Sequence, residues 1–185
     1  MRKLIVSNLI SLDGFIAGPN GEIDWHNVDA EFNEYAIELL GNVDTLLFGR
    51  VTYELMAAYW PTSDAIKNDP IVAGKMNSLQ KIVVSRTLDK AEWNNTRLIK
   101  ENIPEEISKM KQQNGKNIAI FGSSSIVSDF AKLGLIDEYM IIVNPVVLGR
   151  GKPLFKDMDK RLNLKLLKTK SFGSGNVLLH YEPAK

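Results

Sequence analysis

The stretch NIAIFGSSSIVSDF, residues 117–130, has the pattern of a strand that leads into a helix. It begins with a short apolar run that ends at Phe121, which is typical of a buried strand. Gly122 and three serines follow, and apolar residues then recur at the spacing of one helix face. The stretch therefore predicts a strand, a tight turn and the start of a helix.

This turn has the features of a phosphate-binding corner. A helix N-terminus carries unpaired N–H groups and a partial positive charge, and both attract phosphate. Gly122 would let a ligand approach the backbone closely. The alternative is an ordinary strand-to-helix corner in which Ser123 or Ser124 caps the helix.

Two other predicted strands end in similar chemistry. The run Thr45–Phe48 passes through Gly49 into a helix-like segment with Arg50 and Thr52 at its start. Both side chains could reach a phosphate, because arginine supplies a planar fork of donors. The alternative for Arg50 is an ion pair with a surface carboxylate. A third strand ends at Ser85–Arg86, a hydroxyl followed by a guanidinium.

Composition predicts one α/β domain over residues 1–185. The net charge is +1, which gives no electrostatic signature of nucleic acid or membrane binding. The chain has no cysteine, so disulfides, thiolate metal sites and cysteine nucleophiles are excluded. The two histidines lie far apart without metal-ligand spacing, so no metal site is expected. The apolar N-terminal stretch is cut by polar residues and predicts a first strand, with the cytoplasm as the default location.

The order of elements predicts a mixed sheet. Strands and helices alternate through most of the chain, and then Leu164–Lys168 and Val177–Tyr181 form a closing hairpin that should pair antiparallel. Ser11–Trp25 is predicted to be a long loop, either a lid over a site or an ordinary surface loop. The basic turn Leu148–Lys152 could hold a phosphorylated or acidic substrate, or form a dimer contact.

Taken in order, these strand ends resemble the dihydrofolate reductase superfamily. The specific parts are SLDGFIA at residues 11–17 and FGRVTYE at residues 48–54, and the resemblance covers nearly the whole chain. The branch that includes the reductase domain of riboflavin biosynthesis is the closer match. The resemblance implies a three-layer α/β fold, with a mostly parallel sheet flanked by helices and antiparallel C-terminal edge strands.

The resemblance also implies that the strand ends hold NADPH. There is no GxGxxG, so the dinucleotide fingerprint of the Rossmann fold is absent. The two arginines suit the 2′-phosphate, and the glycine turn suits the pyrophosphate. The implied cofactor-binding residues are Ala17, Gly49, Arg50, Thr52, Ser85, Arg86, Gly122, Ser123, Ser124 and Ser125.

Hydride transfer also needs a proton, and a carboxylic acid could supply it. Asp13, in the glycine loop, and Asp29 and Glu31, early in the first helix, are the candidate acids. Asp13 could instead form a turn, and Asp29 could cap the helix. The aromatic residues Trp25 and Phe48 are expected on the substrate side, although Trp25 could simply anchor the loop.

Two departures from the superfamily pattern bear on the substrate. Gly122-Ser123 stands where dihydrofolate reductases usually have two glycines. No arginine lies between Arg50 and Arg86 to clamp a folate tail, which argues against dihydrofolate. The expected activity is an NADPH-dependent reduction of a small pteridine-like, pyrimidine-like or carbonyl substrate, in a possible homodimer. The alternatives are nucleotide binding without turnover, or a serine hydrolase that uses His26 or His180.

Overall fold

The computed structural model of the chain describes residues 1–184. Its strands are β1 Leu4–Ser11, β2 Phe15–Ala17, β3 Val43–Gly49, β4 Gln80–Val84, β5 Thr96–Ile99, β6 Asn117–Phe121, β7 Glu138–Asn144, β8 Lys152–Pro153, β9 Leu164–Ser171 and β10 Val177–Pro183. Its helices are α1 Ala30–Gly41, α2 Arg50–Tyr59, α3 Ser63–Asn68, α4 Pro70–Ser78, α5 Ile103–Gln112 and α6 Ser124–Lys132. Among these residues, no helix is long and apolar enough to cross a membrane.

Eight strands form one twisted sheet in the order β5-β4-β3-β6-β1-β7-β10-β9. The pairs from β5 to β7 are parallel, and β10 pairs antiparallel with both β7 and β9. The predicted sheet is therefore confirmed, including its antiparallel C-terminal edge. One prediction was incomplete, because the long loop after β1 contains β2, which pairs with β8 in a separate two-stranded sheet.

Each face of the sheet carries its own hydrophobic layer. One face packs on α5 and α6 through residues such as Ile107 and Phe130. The other face packs on α1, α2 and α4, with Leu39, Tyr53 and Met76 in its core. Neighbouring strand residues alternate between these layers, as the two-residue period of a strand requires. The sheet is thus covered on both sides, which is the usual arrangement for parallel strands.

The carboxyl ends of the parallel strands meet along one edge of the sheet. At this edge β3 runs directly into α2 at Gly49, and β6 turns into α6 through Gly122 and Ser123. Ligands of open α/β sheets bind outside these carboxyl ends. The fold therefore brings the three polar strand ends of the sequence to one place.

Candidate functional site

A cavity of about 580 Å³ opens at the carboxyl edge of the sheet. It has two parts of different character. The first part, the edge groove, is lined by 49–52, Ser85 and 122–125. The second part, the apolar arm, runs between the sheet and helices α1, α2 and α4. The residues that define the arm are Phe32, Ala36, Leu39, Met56, Trp60, Val72 and Met76.

Two helices point their N-termini into the edge groove, and neither has a side-chain cap. The N-cap residues are Gly49 for α2 and Ser123 for α6, and neither helix has an acidic residue in its first turn. By contrast, α1 is capped by Asp29, whose carboxylate accepts from Phe32 N at 2.8 Å. Because the first N–H groups of a helix need an acceptor, the open ends of α2 and α6 form a site suited to an anion.

The turn between β6 and α6 has an unusual backbone that a buried side chain holds in place. Gly122 and Ser123 both have positive φ, at 63° and 57°. The amide of Asn8 clamps the Gly122 peptide from β1, because Oδ1 accepts from Gly122 N at 2.6 Å and Nδ2 donates to Gly122 O at 3.3 Å. A Cβ at Gly122 would lie 2.5 Å from Thr52 Oγ1, so this position requires glycine.

Ser123 connects the two helix starts. Its Oγ accepts from Gly49 N at 2.6 Å and donates to Thr52 Oγ1 at 3.0 Å, and its N–H donates to the same Thr52 oxygen at 3.1 Å. A Cβ on Gly49 would stand 2.7 Å from Ser123 Oγ. The serine that replaces a second glycine therefore fits because Gly49 leaves room for it. Thr52 is committed to this internal contact.

The basic side chains at this edge are exposed. Arg50 lines the cavity and pairs with Glu54 at 3.1 Å, one helical turn away and also exposed. Ser85 lines the groove and closes a turn by accepting from Thr87 N and Leu88 N. All predicted cofactor residues except Arg86 line the cavity, and Thr87 lies there in its place.

In the apolar arm the polar groups are few and partnered. Ser7 and Tyr35 share a hydrogen bond of 3.0 Å, and the Tyr35 hydroxyl also lies 3.6 Å from Met140 Sδ. Burial raises the pKa of Tyr35 to about 12, so its hydroxyl is neutral at physiological pH. Trp60 donates its indole N–H to Met56 Sδ at 3.1 Å. The arm thus presents mainly hydrocarbon to a ligand.

None of the three candidate acids lines the cavity. Asp13 accepts from Leu148 N and Gly149 N at 3.1 and 2.7 Å, which ties the loop after β1 to the segment before β8. A hydrogen bond from Ser11, followed by these amides, lowers the pKa of Asp13. Asp29 caps α1, and Glu31 accepts from Gly173 N. The geometry gives no support to their catalytic role, which stays a prediction.

The two aromatic residues predicted for the substrate side lie outside the cavity lining. Phe48 is fully buried, and its ring stacks on Trp93 at 6.2 Å. Trp25 donates to Glu22 O at 3.1 Å and packs edge-on against His26 at 4.4 Å, so it anchors the loop. A contact of either ring with substrate stays a prediction.

The serine hydrolase alternative finds no triad in residues 1–184. The Ser123 hydroxyl is engaged with Gly49 and Thr52, as described above. His180 pairs with Glu138 at 2.9 Å at the opposite edge of the sheet. His26 does line the cavity, and burial lowers its pKa, but its Nε2 has no hydrogen-bond partner. Over the same residues, no group of histidines and carboxylates could hold a metal.

Comparison with known proteins decides the family. A profile of the RibD C-terminal domain matches residues 2–178. The chain belongs to the RibD C-terminal domain family. The chain is also 38% identical to the uncharacterized protein YyaP of Bacillus subtilis (strain 168), over 97% of this chain and 94% of YyaP. The resemblance inferred from the sequence is therefore confirmed.

Solved structures confirm the fold. A protein from Shewanella sp. PV-4 superposes with a TM-score of 0.77 and 26% identity, over 99% of both chains. A dihydrofolate reductase from Enterococcus faecalis, crystallised with NADP(H), superposes with a TM-score of 0.66 and 17% identity. That match covers 99% of this chain and 97% of the reductase. At this identity the likeness concerns the fold alone.

Several residues of the cavity were not identified from the sequence. Asn8 holds the Gly122 turn, and Ser7 and Tyr35 form the polar pair beside the arm. The sequence does contain a signal for Ser7 and Asn8, because these two polar residues interrupt an otherwise apolar strand. Polar residues within a core strand need partners, and this requirement points to a built site.

Proposed function

We propose that this chain is an NADPH-dependent reductase that acts on a small pyrimidine-like or pteridine-like ring. One observation carries the proposal. The uncapped N-termini of α2 and α6 and the Arg50 guanidinium line the same cavity as the apolar arm. One part of the cavity suits phosphates, and the adjoining part suits a planar ring.

The residues fit NADPH at the edge groove. The N–H groups at the start of α6 would hold the pyrophosphate, since Gly122 leaves the backbone open there. Arg50 would turn from Glu54 to the 2′-phosphate, because an exposed ion pair one helical turn apart is weak. The bound cofactor would supply a hydride for a C=N or C=O bond.

The chain's own contribution is then to bind and orient. The Asn8 clamp fixes the turn under the cofactor, and the apolar arm excludes water around the reacting ring. No carboxylate among the described residues lines the cavity. Burial lowers the pKa of His26, which also lines the cavity, so we propose that the proton comes instead from water at the open rim, where Ile23 and Leu55 are about half exposed.

A titration on two arginine variants tests the cofactor assignment. Arg50→Ala should weaken NADPH binding about 10- to 100-fold, because it removes a charge-assisted hydrogen bond to the 2′-phosphate. The affinity for NADH, which lacks that phosphate, should not change. Arg161→Ala removes an exposed arginine outside the cavity and should change neither affinity. Isothermal titration calorimetry measures both. Equal affinities of the wild type for NADPH and NADH would contradict the assignment to the 2′-phosphate.

Nucleotide binding without turnover is the second candidate. It is favoured by the same absence of a carboxylate from the described cavity lining. It predicts tight NADPH binding without oxidation of the nucleotide by any pteridine or pyrimidine. A substrate screen on the NADPH-bound protein separates the two candidates.

A further inference from the structure

The apolar arm carries information about the substrate that the edge groove does not. Its walls come from α1, α2 and α4, and its side chains are aliphatic, aromatic or thioether groups. The polar atoms beside it are already partnered, Ser7 with Tyr35 and the Trp60 indole with Met56. A ligand here would find few free hydrogen-bonding groups.

The side chains that define the arm are all uncharged. Helix α1, AEFNEYAIELLG, contains no lysine or arginine, and its charged residues are three glutamates. Among the described residues that line the cavity, the full cations are Arg50 and Lys152. Arg50 lies at the start of α2, in the edge groove. Lys152 is exposed, and its Nζ lies 3.5 Å from where a Cβ on Gly21 would stand. No cation therefore projects from the arm itself.

This arrangement discriminates against an anionic substituent. A phosphate transferred into the arm would lose its water without gaining a cation or a set of N–H donors. An apolar substituent would instead gain from the area it removes from water.

The rim of the cavity supports the same conclusion. Ile23, Val51 and Leu55 line the cavity and are 46%, 54% and 54% exposed. A cluster of exposed apolar side chains around one opening is typical of a binding site. These side chains extend the apolar arm to the solvent and are continuous with the edge groove. A cofactor in the groove and a substrate in the arm could therefore be bound side by side.

We propose that the substrate is an uncharged planar heterocycle with an apolar substituent, and that the arm excludes substrates with a phosphorylated substituent. This inference rests on the proposed reductase function, whose second ligand it specifies. It assigns the apolar substituent to the space between α1, α2 and α4. The basic turn Leu148–Lys152, which the sequence suggested as an anchor for an acidic substrate, contributes only Lys152 to the cavity lining.

A matched pair of probes tests the inference. The probes are 5-benzyluracil and the same compound with a phosphonate on the benzyl ring. Their affinities are measured by isothermal titration calorimetry, with and without saturating NADP⁺. We expect the uncharged probe to bind about 100-fold more tightly, because the phosphonate would be desolvated without a partner. Equal affinities, a preference for the phosphonate, or no binding of either probe would overturn the inference.

A pair of lysine substitutions on α1 locates the effect. Ala36→Lys places a cation in the arm and should weaken binding of the uncharged probe at least about tenfold. It should also reduce the ratio of the affinities for the uncharged and the phosphonate probe. Ala30→Lys makes the same change at the exposed start of the helix and should leave the affinity for both probes unchanged. An unchanged preference in Ala36→Lys would contradict the assignment. If that variant does not fold, Ala36→Leu fills the same space and should weaken both probes.

The same measurements distinguish a failure of the reductase proposal from a failure of the proposed ligand class. Tight binding of 5-benzyluracil by a protein that binds neither NADPH nor NADH would reject the reductase and keep the ligand class. NADPH binding with a preference for the phosphonate probe would keep the reductase and reject the ligand class.

Discussion

The two edges of the central sheet differ in how far their polar groups are paired within the chain. At the amino edge, Arg2 reaches Asp44 and Thr45, and Glu138 bridges Lys3 and His180. At the carboxyl edge, two helices begin without side-chain caps beside exposed arginines. Charges that pair inside the chain hold the fold together. Donors that the chain leaves open are available to a ligand.

This difference assigns separate roles to the two edges. Substitutions at the amino edge should change stability and leave ligand binding intact. Substitutions at the carboxyl edge should change binding by more than they change stability. The following experiments, in order of expected effect, test that separation.

The largest effect is expected at Glu138, whose side chain is 10% exposed. Glu138→Ala leaves Lys3 and His180 without their carboxylate and should lower the free energy of unfolding by about 2–3 kcal/mol. The control Glu92→Ala breaks a fully exposed pair with Lys90 and should change the free energy of unfolding far less than Glu138→Ala does. Urea denaturation measures both. A loss of NADPH affinity in folded Glu138→Ala would break the separation of the edges.

The second effect concerns Gly122 at the carboxyl edge. Gly122→Ala should weaken NADPH at least about tenfold, because its Cβ would collide with Thr52 and shift the turn. Gly134→Ala imposes the same positive φ at the end of α6, where nothing lies within 4 Å. Gly134→Ala should lose about 1 kcal/mol of stability from the positive φ alone, and Gly122→Ala should lose more because its Cβ also collides with Thr52. Similar NADPH affinities for the two variants would contradict a role for the Gly122 turn in binding.

A third experiment places a carboxylate at the open N-terminus of α6, where the chain has none. Ser125→Asp puts an acidic residue in the first turn of α6 and should raise the unfolding free energy by about 0.3–1 kcal/mol. The same charge should repel the pyrophosphate and weaken NADPH about tenfold. Ser125→Asn is the matched neutral control. A gain in stability without loss of NADPH affinity would place the phosphates elsewhere.

The smallest effect is the pH dependence of the amino edge. Burial works against ionisation of Glu138, but hydrogen bonds from Lys3 and His180 outweigh it and lower its pKa. Because the folded pKa lies below the ordinary value of 4.5, the stabilisation is complete above that pH. It is lost as the pH falls through the folded value. Urea denaturation at pH 7 and pH 3.5 should show a smaller loss for Glu138→Gln than for the wild type.

The sequence predicted the features that depend on neighbouring residues. The strand-turn-helix stretches at Gly49 and Gly122, and the hairpin at the C-terminus, were read from local patterns. The partners of Asn8 and Glu138 were not found, because they lie 114 and 42 residues away along the chain. The apolar arm was also missed, because it is enclosed by three separate helices and the sheet, whose packing against one another no local pattern shows.

The carboxylates show where local chemistry misleads. Asp13, Asp29 and Glu31 have the right chemistry for an acid, but each accepts hydrogen bonds from backbone N–H groups, and none of the three lines the cavity. A carboxylate at a turn or a helix start has a structural use that the sequence cannot distinguish from catalysis.

We propose that the open donors of the carboxyl edge hold the phosphates of NADPH. A crystal structure of the protein with NADPH would show whether they do. We expect the pyrophosphate at the N–H groups of Ser124 and Ser125, the 2′-phosphate on Arg50, and the nicotinamide turned toward the apolar arm. A nucleotide bound away from residues 122–125 and Arg50 would contradict it.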